Sequence, residues 1–149
     1  MFEWFGKVSF CPSTKVDAFA QHLKDGRIMG SRCKGCGRIS YPPVADCPKC
    51  LSGDFEWMEM SGRGTVMTLT KISAAPAGFE DEAPFVIGVA DLEETGRCLA
   101  WFGKTIPEEE IRIGMPVQVV PRIFEDIPEI KVYYTLEKPG TTWTKGSSA

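Results

Sequence analysis

The spacing of apolar residues changes once along the chain, from a helical period before residue 26 to strand-like runs after residue 60. The first segment places its apolar residues at i, i+3, i+4 and i+7: Val16, Phe19, Ala20 and Leu23. This spacing predicts an amphipathic helix, and Thr14 followed three residues later by Asp17 resembles a capping box. With Gly26 as the stop signal, we predict that the helix runs from about Lys15 to Asp25.

The second half of the chain consists of five β-rich runs separated by glycine, proline and acidic turns. In order they are GRGTVMTLTKI, PFVIGVADL, RCLAWFGK, MPVQVV and EIKVYYTLEK. Five short strands with no helical crossover predict a small closed barrel of the OB-fold type. The first connection, SAAPAGFEDEA, is long for a hairpin, and loops of this length on a rigid barrel often carry function.

The last of these runs has the clearest alternation. Its apolar set is Ile130, Val132, Tyr134 and Leu136, and the set between them is Lys131, Tyr133 and Thr135. The alternation predicts one buried face and one solvent-facing face. The first run is ambiguous, because Val66 with Thr68 and Met67 with Leu69 compete for the core.

The chain has 149 residues, 43% of them hydrophobic, which suffices for one apolar core and a small metal-stabilised module. We therefore predict a mainly β protein with an N-terminal amphipathic helix, a rubredoxin-like zinc ribbon and a five-stranded OB-fold barrel. The predicted divisions are an aromatic segment and helix in 1–29, the ribbon in 30–60, the barrel in 61–140 and a flexible tail in 141–149.

The ribbon is predicted from four cysteines in a C-x2-C-x10-C-x2-C pattern: Cys33, Cys36, Cys47 and Cys50. Each pair can direct two thiolates to one metal from a tight turn, and two pairs complete a tetrahedral zinc site. Four thiolates leave no open coordination position, so this zinc would be structural. Iron in the same ligand set and an unmetallated redox pair are the alternatives to zinc.

Six cations surround these cysteines in the sequence: Lys24, Arg27, Arg32, Lys34, Arg38 and Lys49. Only Asp25 and Asp46 oppose them, which leaves an excess of about two positive charges once a dication with four thiolates is counted. Two hypotheses fit this patch: its cations only solvate the ribbon, or they form a contact site for an anion or an acidic partner.

Aromatic residues precede the helix and need an apolar environment, as the helix stripe does. These residues are Phe2, Trp4, Phe5 and Phe10. The aromatic residues and the apolar stripe of the helix either cover the protein's own core or dock on a partner. For docking, the candidate residues are Trp4, Phe5, Phe19 and Leu23.

No motif predicts independent catalysis. Cys98 lies within a strand run, where a small buried thiol is the ordinary outcome. Cys11 has no predicted base beside it. His22 lies about 110° from the apolar stripe, where a solvated position is expected.

The net charge of −3 opposes nonspecific binding to nucleic acid, because affinity for phosphates comes mainly from Lys and Arg. The barrel runs also place their aromatic residues beside acidic residues rather than on a basic groove. The N-terminus MFEWFGKVSF lacks the features of a signal peptide, and no apolar run is long enough to span a bilayer. We therefore predict a cytoplasmic protein with neither nucleic acid nor membrane as partner.

Taken in order, the helix and the runs CKGCGRISYPPVADCPKC, SGRGTVMTLT, PFVIGVADLEETGR and IRIGMPVQVV resemble a known family. It is the zinc-ribbon and OB-fold family of acyl-CoA-associated proteins, long catalogued as a domain of unknown function. The likeness extends from about Val16 to Leu136. It departs at Val44, where many members have a basic residue after the Pro-Pro pair, so no role is assigned to a cation there.

The resemblance implies an accessory subunit, since members accompany thiolases or thiolase-like aldolases whose larger chain carries the catalytic groups. The chain would join a thiolase-family subunit in a hetero-oligomer, with an acyl-CoA at the interface and benzoylsuccinyl-CoA as one candidate substrate. Because coenzyme A carries a 3′-phosphate and a pyrophosphate, four cations are expected to contact CoA or the partner. They are Arg32, Lys34, Arg38 and Lys49. The alternative functions are a single-stranded nucleic-acid-binding protein and a metal-dependent regulator.

Overall fold

The computed structural model describes residues 2–6, 13–124 and 131–142, and within these ranges it contains one α-helix, two short 3-10 helices and eight β-strands. The helices are α1 (Ala18–Lys24) and the 3-10 helices Phe2–Trp4 and Glu108–Glu110. The strands are β1 (Met29–Cys33), β2 (Ile39–Ser40), β3 (Phe55–Glu59), β4 (Arg63–Ile72), β5 (Phe85–Leu92), β6 (Arg97–Phe102), β7 (Pro116–Phe124) and β8 (Lys131–Glu137).

The strands form a small sheet and a barrel. The sheet is antiparallel in the order β2-β1-β3, and the other five strands form a closed barrel in the order β4-β5-β6-β8-β7. Neighbours in the barrel are antiparallel except for β6 and β8, where Trp101 lies opposite Thr135 in a parallel pair. The predicted fold class, a mainly β protein with a short helix, an N-terminal ribbon and a five-stranded OB-fold barrel, is confirmed.

Helix α1 is shorter than predicted and begins at Ala18 rather than near Lys15. In place of the predicted capping box, the Asp17 N–H donates to the backbone carbonyl of Thr14 at 3.1 Å, and the Asp17 side chain makes no capping hydrogen bond. The predicted stop is confirmed, since Gly26 adopts a φ of 78° directly after the last helical turn. Within the described ranges, no helix is long and apolar enough to cross a membrane.

The alternation in β8 gives a buried inner face, as predicted, but its other face is not open to solvent. Val132, Tyr134 and Leu136 are 0 to 3% exposed, while Lys131 and Thr135 are also buried at 8% and 2%. The prediction of a solvent-facing side is therefore wrong, because other parts of the chain cover this face. The Lys131 ammonium donates a hydrogen bond to the backbone carbonyl of Glu3, and the centre of the Phe5 ring lies 5.4 Å from that of Tyr133. Ile130 lies outside the described residues.

A β-bulge resolves the ambiguity in β4. Val66 pairs with Ala90 of β5, but the next pair joins Thr68 to Val89, so Met67 is an extra residue on this strand. The bulge shifts the alternation by one position. Val66 is fully buried and Leu69 packs against the core, while Met67 is 40% exposed.

One buried cluster connects the helix, the ribbon and the barrel. Phe19 and Leu23 of α1, Tyr41 after β2 and Met60 after β3 belong to the same cluster as the inward-facing barrel residues. The Tyr41 ring centre lies 5.8 Å from that of Phe19 and 5.2 Å from that of Tyr134. The proposed division between ribbon and barrel at residues 60 and 61 stays a prediction, because the apolar core extends across it.

The turn between β5 and β6 fixes the ribbon against the barrel. Thr95 Oγ1 donates to the backbone carbonyl of Ile39 in β2 at 2.7 Å, and the Ser61 N–H donates to Glu94 Oε1 at 2.8 Å. The linker follows at Gly62, whose φ is 74° and where a Cβ would lie 2.8 Å from a backbone oxygen of β7. Only glycine meets both conditions without strain, so the path from the ribbon into the barrel is closely constrained.

The β4–β5 connection, predicted to be a functional loop, folds back over the outer face of the barrel. Phe79 lies 5.3 Å from Trp101 between ring centres, and Glu82 forms an ion pair with Arg122 of β7 at 3.0 Å. The Arg122 guanidinium also lies 4.6 Å from the centre of the Phe124 ring. These contacts attach the loop to the barrel, and a functional role for it stays a prediction.

Candidate metal centre and surrounding surface

Two turns of the same backbone form carry the four cysteines. We call them the first knuckle, residues 33–38, and the second knuckle, residues 47–52. In each knuckle the first cysteine makes two backbone hydrogen bonds. Its carbonyl accepts one from the N–H of the fifth residue, and its N–H donates the other to the carbonyl of the sixth residue. The partners are Gly37 (2.9 Å) and Arg38 (2.8 Å) for Cys33, and Leu51 and Ser52 (both 2.9 Å) for Cys47. This arrangement directs both cysteines of each knuckle toward one point.

The four sulfur atoms fit a single tetrahedral metal ion. All four Sγ atoms lie within 4.8 Å of one another, with 3.5 Å between Cys33 and Cys50 and 3.6 Å between Cys36 and Cys47. Zinc with four Zn–S bonds of about 2.3 Å holds its sulfur ligands about 3.8 Å apart. The predicted ligands are therefore positioned for one metal ion, and four thiolates would leave it no site for substrate or water.

Backbone amides around the sulfur atoms favour the thiolate form that a metal requires. The N–H of Cys50 is the largest of several contributions that lower the pKa of Cys47 to about 6, and the N–H of Cys36 is the main cause that lowers the pKa of Cys33. The Ser52 N–H is the largest single influence on the pKa of Cys50 and lowers it, but burial and hydrogen bonding with the other three thiols together outweigh it and raise this pKa to about 11. Sulfur atoms this close therefore ionise together only when a cation compensates their charge.

Two cations of the predicted basic patch pair with carboxylates of β3. Arg27 lies 3.6 Å from Glu59 and Arg32 lies 3.8 Å from Glu56, measured from nitrogen to oxygen. The count of charged residues around the cysteines missed these partners because Glu56 and Glu59 follow the cysteine pattern in the sequence. The antiparallel register of β1 and β3 then places Arg32 directly opposite Glu56. Both ion pairs are exposed, so they reduce the local positive charge more than they stabilise the fold.

Three cations of the patch remain exposed on the knuckles. No carboxylate in the described part of the chain lies within 4.0 Å of Lys34, Arg38 or Lys49. Lys24 points elsewhere, with its ammonium 5.0 Å from the centre of the Trp4 ring. The positive surface near the metal centre is therefore smaller than predicted and lies mainly on the two knuckles.

The aromatic and helical residues predicted to dock on a partner pack largely on the protein itself. Phe19 and Leu23 are 2% and 0% exposed, so a partner could contact them only if α1 left the core, and their docking role stays a prediction. Phe5 lies 5.5 Å from Phe19 between ring centres, and both Phe5 and Trp4 are half-buried. The Phe2 side chain and Phe10 lie outside the described residues.

His22 is not the solvated residue that helical arithmetic predicted. Its ring lies 4.9 Å from Trp57 of β3, and its Nε2 is buried without a hydrogen-bond partner in the described structure. Burial is the main cause that lowers the pKa of His22, and the charge of Arg27 adds to it. The prediction failed because the Trp57 side chain contacts the helix beside the expected apolar stripe.

Cys98 is fully buried, as predicted, and burial raises its pKa to about 12. It is therefore a neutral thiol at physiological pH, packed inside the barrel rather than exposed as a nucleophile. Cys11, the other cysteine outside the knuckles, lies outside the described residues.

Two protein-family models match consecutive parts of the chain. One is described as the rubredoxin-like zinc ribbon domain of ChsH2 and matches residues 20–56, and the other is the C-terminal OB-fold domain of ChsH2 and matches residues 57–122. They follow each other in the order of the ribbon and the barrel, and the first contains all four knuckle cysteines.

Similar proteins include a DUF35 domain-containing scaffold protein of Methanocaldococcus jannaschii, 39% identical over 71% of this chain and 77% of that protein. The benzoylsuccinyl-CoA thiolase subunit BbsA of Thauera aromatica is 34% identical over 51% of this chain and 54% of that subunit. A solved structure titled Ltp2-ChsH2(DUF35) aldolase superposes with a TM-score of 0.68 at 26% identity, covering 87% of this chain and 98% of that one.

Proposed function

Because the chain belongs to the DUF35 family of scaffold proteins, we propose that it is a noncatalytic subunit of a thiolase-type acyl-CoA complex. Its role would be to support assembly and to help bind a CoA ester, while C–C bond cleavage or formation takes place on a thiolase-family partner chain. The likeness to the Ltp2-ChsH2(DUF35) aldolase carries this proposal, since it covers 98% of that chain. The thiolase subunit BbsA supports it independently at 34% identity.

The chemistry of the described residues agrees with a noncatalytic role. A thiolase-type reaction needs a nucleophile and an acid or base that reach the substrate. Cys98 is 0% exposed and its pKa is raised to about 12, and the Nε2 of His22 is buried against the ribbon. The Cys98 thiol and the Nε2 of His22 therefore cannot act on a ligand at the surface, and the groups that react would come from the partner.

The two knuckles supply the charge that a CoA ester needs. Lys34, Arg38 and Lys49 are exposed on a turn framework that one metal ion would hold rigid. We infer that these cations lie at the interface, where they contact the phosphates of coenzyme A or carboxylates of the partner. Arg32, the fourth predicted contact, contributes less because Glu56 pairs with it.

Gentle purification from the native extract tests the assembly. Size-exclusion chromatography with mass spectrometry should show the chain eluting together with a thiolase-family subunit. A lone monomer, or a chain that carries nucleic acid, would overturn the proposal.

Charge reversal tests the role of the knuckle cations in that complex. Lys34→Glu combined with Arg38→Glu should raise the apparent KM for the CoA substrate with little change in kcat, or else weaken assembly. The matched control reverses two exposed barrel cations, Arg97→Glu and Lys104→Glu, and should do neither. If assembly and kinetics survive the knuckle variant, these cations only solvate the ribbon.

A further inference from the structure

The two knuckles differ at one position where the backbone conformation is the same. The fifth residue adopts a left-handed conformation in both, with a φ of 75° at Gly37 and 62° at Leu51. Among the described residues, Leu51 is the only one other than glycine with a positive φ. Its N–H makes the same 2.9 Å hydrogen bond to the first cysteine that Gly37 makes.

Leucine is a costly choice at this position. A Cβ clashes with the adjacent backbone in the left-handed region, so glycine is the usual residue there, as in the first knuckle. The Leu51 side chain gains no burial in return, since it is 83% exposed. Exposed leucines alone need no explanation, but an exposed leucine on strained backbone points to a contact outside this chain.

The surroundings of Leu51 define what such a contact must offer. Leu51 lies between Cys50 and Ser52, directly beside the metal centre and close to the first knuckle, where a Cβ on Gly35 would lie 3.3 Å from that of Ser52. Lys49 is exposed two residues away and has no carboxylate within 4.0 Å in the described structure. A fitting partner therefore presents an apolar pocket bordered by an anionic group.

We propose that Leu51 is an anchor that inserts into an apolar pocket of the thiolase-family catalytic subunit, with a carboxylate of that subunit facing Lys49. This inference rests on the proposed function and adds the contact through which the ribbon binds its partner. A second copy of this chain fits less well, because a symmetric contact around Leu51 would bring the cations of two knuckles together. The rigid metal site would hold the leucine in place, which reduces the entropy cost of binding.

Leu51→Gly separates the contact from the fold, because it gives the second knuckle the residue that the first one has. The probe is the thiolase-family subunit that co-elutes with the wild-type chain, purified and titrated with each variant by calorimetry. We expect the Kd to rise about tenfold or more, as for truncation of a central apolar anchor. Zinc content should stay the same, and Tm should stay equal or rise because backbone strain is removed.

Two further variants complete the test. Lys49→Glu should also weaken binding, while Ile113→Ser, which removes another exposed apolar side chain on a barrel loop, should leave the Kd unchanged. Equal binding by Leu51→Gly would overturn the inference and leave the proposed function standing. A wild-type chain that binds no thiolase-family subunit would overturn both. A wild-type homodimer that Leu51→Gly dissociates would overturn the inference by identifying a second copy as the partner.

Discussion

The ribbon and the barrel obtain their stability from different sources. Barrel residues such as Val66, Val119 and Val132 are 0 to 1% exposed, so apolar burial alone can hold the barrel together. No residue of β3 in the ribbon is fully buried, whereas the four cysteine sulfur atoms of the ribbon lie within 4.8 Å of one another. Small modules of this kind depend on their metal. Yet Tyr41 joins the ribbon to the barrel core, so the two regions differ in source of stability without being independent.

The largest effect expected is from removal of one metal ligand. Cys47→Ser should abolish stoichiometric zinc binding and unfold the ribbon, because structural zinc contributes on the order of 10 kcal/mol to the folding of small modules. The barrel should remain folded but with a lower Tm, since Tyr41 would leave the core that it shares with Phe19 and Tyr134. Amide hydrogen exchange read by mass spectrometry separates the two regions, with peptides from 29–59 losing protection first.

Cys98→Ala is the matched control for that experiment. It also removes one thiol, but from the interior of the barrel, and should leave the zinc content unchanged. If barrel stability is unchanged in Cys47→Ser, the contacts of Tyr41 do not couple the stability of the barrel to that of the ribbon. Simultaneous loss of both regions would show that they form one cooperative unit with no boundary near residue 60.

A smaller effect is expected at the junction itself. Tyr41→Ala should reduce the free energy of unfolding by about 3 to 5 kcal/mol, as for other large aromatic residues in cores. Tyr41→Phe keeps the ring and removes a hydroxyl that is buried without a hydrogen-bond partner in the described structure. It should therefore be neutral or stabilise by about 1 kcal/mol. Denaturant unfolding measures both changes, and a clear loss in Tyr41→Phe would reveal a bound water or another partner at that hydroxyl.

Cysteine spacing and alternation made much of this protein predictable, for physical reasons that differ between its two regions. The knuckle spacing encodes the metal site locally, since each pair of ligands lies within one turn. The five barrel strands were predictable because each has apolar runs between turn residues. The bulge at Met67 was not, because the sequence shows only that two alternations compete and the partner strand decides between them.

What sequence reasoning missed depends on contacts between distant segments. Burial of Lys131 requires the backbone of Glu3, 128 residues away, and the neutralisation of Arg32 requires the register between β1 and β3. Arg122 had no local signal either, although the long loop that supplies its partner Glu82 was recognised. The sequence also shows that the helix has an apolar stripe but not which surface covers it, and in the structure the protein's own core covers Phe19 and Leu23.

The smallest effect expected concerns the contact between α1 and the ribbon, and it depends on pH. Burial lowers the pKa of His22 below its ordinary value, so near pH 6 the unfolded chain binds a proton more readily than the folded protein does. The contribution of His22 to the free energy of unfolding is thus complete above the pKa of about 6.5 that this residue has in the unfolded chain, and it is lost as the pH falls toward the pKa in the folded protein. Relative to His22→Phe, the wild type should lose unfolding free energy below that pH and match its pH dependence above it. The chain has one histidine, so its imidazole proton signals report the folded pKa directly, and a value at or above 6.5 would contradict the burial against Trp57.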